Sequence, residues 1–133
     1  MADLQSALHS RLSSDTAVAA LVATRIYWTN VPQGAALPYI RLQTISDPRP
    51  QHLRGYQGSR VTRVQADVFS SSYAAARSAS EAVITATALP ATVGGVKFGR
   101  SSATGPRDFG EDVDGFGHVH RLSTDLLIEH INQ

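Results

Sequence analysis

His118-Val119-His120 are the first residues of this chain whose types and spacing could do chemistry. Alternation along a strand would set both imidazoles on one face, a spacing that metal sites use. A third ligand would have to come from the acidic stretch just before them, and no fixed three-ligand spacing accompanies the pair. The plainer reading is two polar side chains where a strand begins. Asp112-Val113-Asp114-Gly115 resembles a fragment of a calcium loop without the full pattern or its closing glutamate. Gly-x-Ser-x-Gly, Gly-x-x-x-x-Gly-Lys and Gly-x-Gly-x-x-Gly do not occur, and Gly115-Phe116-Gly117 comes nearest to the last. The carboxylates are scattered, with no spacing that identifies an acid/base pair. An enzyme is not expected, and no cofactor is implied.

Basic chemistry gathers in one place. Asp47 to Arg60 holds Arg49, His52, Arg54 and Arg60 against the single acid Asp47, with Tyr56 among them and Arg63 just beyond. Arginine beside an aromatic can hold phosphate and stack on bases. The formal net charge of +1 supplies no global field towards nucleic acid or anionic lipid, so a small DNA-binding domain built on Arg49–Arg63 is the lesser alternative. An acidic counterpart follows later: Thr104 to Gly117 carries Asp108, Glu111, Asp112 and Asp114 against Arg107, with Phe109 and Phe116. Both stretches contain glycine and break any period, so both read as irregular loops, long for a compact domain. In one subunit, pairs between them would be ordinary surface pairs worth under about 1 kcal/mol each. In a ring, where one side of a subunit meets the other side of the next, opposite charge would set the register. Arg49, Arg54, Tyr56, Arg60, Asp108, Phe109, Glu111, Asp112, Asp114 and Phe116 are therefore the candidate contacts. Ile84, Tyr73 and Trp28 are candidate apolar ones, core packing being at least as good a reading for Trp28.

The elements that must position these residues centre on Val61 to Ser72. Val64, Ala66 and Val68 alternate with Arg63, Gln65 and Asp67, which predicts a strand with one apolar and one polar face. Ser70-Ser71-Ser72 can cap a helix over about Tyr73–Ala88, with Ala75, Ala76, Ala79, Ala82, Val83, Ala86 and Leu89 on one arc. Such a small-residue arc lets a helix lie close against a sheet. Upstream, Asp3 can cap a helix carrying Leu4, Ala7, Leu8 and Leu12, and Asp15 a shorter one carrying Val18, Leu21 and Val22. Arg25-Ile26-Tyr27-Trp28 is a β-prone patch, and Pro38 to Ile45 reads as a strand. Val93-Gly94-Gly95-Val96 suggests a tight hairpin into Val96-Lys97-Phe98. His118 to Ile131 alternates throughout, with Leu122, Leu126 and Ile128 on one side and Arg121, Ser123, Asp125 and Glu129 on the other. Leu127 breaks that pattern, so burial on both faces is an expectation. Such a strand spans roughly 40 Å, long for a small domain, and should bend or project towards a neighbour.

The 133 residues, 42% apolar and 17% charged, predict a single globular domain over 1–133. There is no cysteine, which removes disulfides and thiol chemistry. The start lacks a signal-peptide pattern, and the longest apolar run, Ala17 to Ala23, is far short of a membrane span. A soluble intracellular product is the expectation. The fold class is α+β: a mostly antiparallel sheet of four to five strands with helices packed on one face.

Arg25-Ile26-Tyr27, Val31-Pro32-Gln33-Gly34-Ala35 and Leu37-Pro38-Tyr39-Ile40 resemble, in that order, the tail-completion or tail-terminator family of long-tailed phages, prophages and gene-transfer-agent-like particles. The Leu/Ala-rich first helix, the strand ending at Val68-Phe69, the Ser/Ala helix and the long last strand agree with it. The resemblance implies an α+β subunit that forms a hexameric ring on the head-proximal end of the tail tube. It implies as partners the tail tube protein and a head–tail connector or neck protein, with DNA only passing through the lumen. It places the protein in the virion, assembled in the host cytoplasm. Another neck, head–tail joining or minor tail protein is the alternative.

Overall fold

A computed structural model gives the fold of residues 3–49, 51–52, 55–56, 59–113 and 117–132. The helices start where the capping residues stand. Asp3 accepts from the Ser6 N–H at 2.7 Å to open α1 (Leu4–Ser14), and Asp15 accepts from Val18 at 3.1 Å to open α2 (Thr16–Val22). Two strands follow, β1 (Ile26–Trp28) and β2 (Tyr39–Ser46), then the short β3 (Gln51–His52) and β4 (Gly55–Tyr56), then β5 (Ser59–Ser70). Ser72 caps α3 (Tyr73–Ala88), its hydroxyl accepting from Ala75 at 3.3 Å. The chain closes with β6 (Ala91–Val93), β7 (Val96–Val113) and β8 (Gly117–Asn132).

Six strands form the main sheet in the order β1-β2-β5-β8-β7-β6, and β3 pairs with β4 in a separate ladder. Among the described residues, only the β1/β2 contact is parallel. The expected four or five strands become six because β1 and β6 are three residues each, too short to show a period. Gly94 and Gly95, both at positive φ, make the two-residue turn that pairs Val93 with Val96.

Two stretches expected to be irregular are strands. Asp47–Arg60 contains the β3/β4 ladder, with Gln51 opposite Tyr56, and β5 begins already at Ser59. Thr104–Gly117 continues β7 to Val113 and then enters β8. Local period missed the second because β7 bulges between Thr104 and Arg107, which resets its alternation. Gly105 carries the bulge at φ +117°, and a Cβ there would stand 2.8 Å from the Ser123 carbonyl oxygen. What holds β7 straight on either side is its ladder with β8, which runs from Val96↔Asn132 to Val113↔Gly117.

The helices pack on one face of the sheet. Leu4, Ala7, Leu8 and Leu12 of α1 and Val18 and Val22 of α2 join Ala76, Ala79 and Val83 of α3 against Ile40, Leu42, Val64, Ala66, Val68, Phe98, Leu122, Leu126 and Ile128. Leu89 lies past the helix end and is exposed, whereas Ser80 and Thr87 occupy the buried stripe, Thr87 donating back to the Val83 carbonyl at 3.0 Å. Trp28 packs against this core and donates through Nε1 to the Gln5 carbonyl at 3.1 Å. Burial on both faces of β8 does not extend to Leu127, which is 43% exposed on the face without helices.

The alanine stripe fixes the distance between α3 and the sheet, so added volume has nowhere to go. Ala79→Leu is expected to cost about 1–3 kcal/mol, read as a lower urea midpoint at unchanged slope.

Candidate interaction surface

The face of the sheet opposite the helices is built by the odd-numbered residues of β5 and β8. Register brings Arg41, Asp67, Ser123 and Arg107 into one row across four strands, and Gln43, Gln65, Asp125 and Thr104 into the next. Cross-strand neighbours on one face lie close enough to pair. Asp67, fully buried, accepts from Arg41 at 2.9 Å, Arg121 at 3.1 Å and Gln65 at 3.0 Å. Asp125, also buried, takes Arg63 at 2.6 Å and Arg107 at 3.2 Å on the same oxygen. Two carboxylates on the central strands thus hold four guanidinium groups drawn from β2, β5, β7 and β8.

An aromatic row borders this lattice. Tyr27 meets Tyr39 edge-on at 6.0 Å, and Tyr39 stacks on Phe69 at 4.8 Å. Arg41 and Arg121 lie over Phe69 at 5.4 and 5.8 Å, and Arg121 reaches Phe109 at 5.3 Å. Guanidinium groups fixed between a carboxylate and a ring face keep their orientation. Burial alone would raise the Asp67 carboxyl pKa. The adjacent Ser123 hydroxyl, the hydrogen bonds from Arg41 and Gln65 and the charge of Arg121 outweigh it and hold the group below the ordinary carboxylate range.

The candidate contacts read from the sequence fall at the two ends of the sheet. At one end, Arg60, the second residue of β5, lies 3.1 Å from Asp47, and exposed Arg49 lies 3.7 Å from the same carboxylate. Thr62 donates to Asp47 at 2.8 Å and its oxygen stands 2.7 Å from His130 Nε2, which pins Asp47 to the end of the sheet. Thr62 is buried, so this chain of contacts serves packing. Tyr56 lies in β4, and Arg54 falls outside the described residues. At the other end, Asp108 and Phe109 are exposed on β7, and Glu111 and Asp112 continue that strand. Asp114 and Phe116 lie outside the described residues. Ile84 is half-buried on α3 against the core. Ser59 pairs with Ile131 and Val113 with Gly117, so the ends are about 14 residues apart along β8, or roughly 45 Å. Among the described side chains, Arg49 and Arg60 stand at one end of the sheet and Asp108 at the other.

His118 and His120 do share a face, with ring centres 4.6 Å apart, and Tyr73 abuts His120 edge-on at 5.9 Å. They line a depression of about 280 Å³ with Asp108 and Leu122. Among the described residues, no three His, Asp or Glu side chains converge closely enough to hold a metal ion.

A family model described as "Tail completion protein gp17" matches residues 6–123. The chain belongs to this family. It is accordingly a structural protein of the phage tail and a component of the virion. A solved chain from the virion of a native gene transfer agent particle shares its fold at 22% identity and a TM-score of 0.69, over 97% of this chain and 93% of that one. No curated protein matches.

Sequence reading missed the arginine–aspartate lattice, although its signal was present. Arg41, Arg63, Asp67, Arg121 and Asp125 all stood at period two, and only the register between strands shows which charge faces which.

Asp67 gives a pH test. A carboxyl whose folded pKa lies below its unfolded value of about 3.9 contributes fully above that value, and loses the contribution as pH falls through the folded pKa. Asp67→Asn is expected to lower stability at pH 7 by about 1–3 kcal/mol. Denaturant titrations should show the gap to wild type closing as pH drops below about 4.

Proposed function

We propose that the chain assembles as a ring, a hexamer, on the head-proximal end of the tail tube, where it stops tube polymerisation and offers the surface on which the head connector docks. The observation that carries this reading is the tail-completion family match across residues 6–123. The likeness to a chain of a gene transfer agent virion supports the fold it requires. In this reading the partners are sister copies, the tail tube protein and a connector or neck protein, with DNA passing through the lumen. The two ends of the sheet, about 14 residues apart along β8, differ in charge and leave each copy with two unlike sides. A contact between unlike sides is heterologous, and such contacts close into rings when the rotation allows.

Electron microscopy of particles made without this protein tests the reading. Overlong tail tubes are expected. Tubes of normal length that fail to join heads would instead make it a head–tail joining protein and overturn termination.

A further inference from the structure

We propose that the helix-free face of the sheet receives the acidic end of the β7–β8 hairpin from a second copy of this chain; this rests on the self-assembly put forward above and names its interface. Three observations converge. The face carries an excess of positive charge, because among the described residues Arg41, Arg63, Arg107 and Arg121 share Asp67 and Asp125. Lys97 and Glu129 further along the same face leave that excess unchanged. It also carries apolar surface: of seven large exposed hydrophobics among the described residues, Val61, Phe109, Leu127 and Ile131 lie here. Arginine and aromatic groups beside apolar residues make up a protein-binding surface more than a phosphate-binding one. The hairpin end supplies the complementary charge, with Asp108, Glu111 and Asp112.

The cations at the other end are a poorer destination. Both Arg49 and Arg60 already lie on Asp47 of their own chain. Self-docking is excluded as well, since the hairpin end is the continuation of β7 and β8, two of the strands that form the receiving face. Its last three pairs, from Glu111↔Val119 to Val113↔Gly117, extend past the final β5 pair at Ser70↔His120. Each copy therefore gives one hairpin end and accepts another, a heterologous contact with directional register.

The chain has no cysteine, so introduced thiols report cleanly. Asp112 and Leu127 stand nine residues apart measured along β8, from His118 to Leu127, roughly 30 Å, whereas a disulfide needs Cα atoms within about 7 Å. In the full-length double variant Asp112→Cys/Leu127→Cys, any disulfide must join two copies. Mild oxidation is expected to give a ladder of linked chains longer than dimers, reversed by reductant, while each single variant stops at a dimer. Leu127→Glu is expected to weaken self-association at least ten-fold by light scattering, with an unchanged melting temperature. Copies that associate without forming the ladder would overturn this interface and leave the ring standing. A chain that stays monomeric alone and with tube protein would overturn both. A duplex-DNA mobility shift abolished by Leu127→Glu would assign the face to nucleic acid and overturn the proposal.

Discussion

Two carboxylates with almost no access to water, Asp67 and Asp125, sit on the side of the sheet that no helix covers. Burying a carboxylate is costly unless its charge and hydrogen-bonding capacity are met. Here the charge is met by arginines from every strand of the four-stranded centre, although Oδ1 of Asp125 is buried without a hydrogen bond, so each side chain's position depends on the strand register being right. A register slip of one residue would turn these groups into the alanine-lined core and leave them unpaired. The apolar face could tolerate several packings of Val, Leu and Ile, whereas the polar face fits only one alignment. We therefore see the lattice as what makes the sheet single-valued, with the core supplying most of the stabilisation.

The same lattice connects the core to the far end of the hairpin. Arg107 leaves β7 immediately after the bulge and returns to Asp125 on β8, which ties the strand down where Gly105 has interrupted its ladder. Arg121 then bridges Asp67 to both Phe69 and Phe109. The acidic end thus extends from a braced pair of strands. At the opposite end, Asp47 gathers Arg49, Arg60 and Thr62, so the basic side is anchored by its single acid.

Much of the fold was legible in the residues. Asp3, Asp15 and Ser72 capped the helices where expected, and the alternation of Val64, Ala66 and Val68 and of Leu122, Leu126 and Ile128 marked the two central strands. These are local signals, carried by neighbours in sequence. The failures share a cause. Val96–Val113 owes its extended form to β8 and not to its own period, which glycines and a bulge interrupt. Tyr56 and Gln51 pair across a two-residue strand that no periodicity can register. The arginine–aspartate lattice needed two pieces of information, alternation and register, and a single chain displays only the first. Family resemblance reached further because Pro-Gln-Gly stands in the approach to β2 and Pro-Tyr-Ile at its start, so the motifs mark a position in the fold that period alone does not.

A structural protein of the tail needs surfaces that stay closed to wrong partners until the right one arrives, and the docking proposed for the uncovered face would meet that need in a specific way. Its arginines are held on internal carboxylates, so they do not present bare charge to any passing polyanion. They still exceed those carboxylates two to one, which leaves attraction for an acidic segment of matching spacing. The exposed leucine, valine and isoleucine beside them reward only a partner that also excludes water. Charge would then choose and orient the partner, and apolar burial would hold it, a division of labour that a sheet with one covered face and one fixed polar face is built to support.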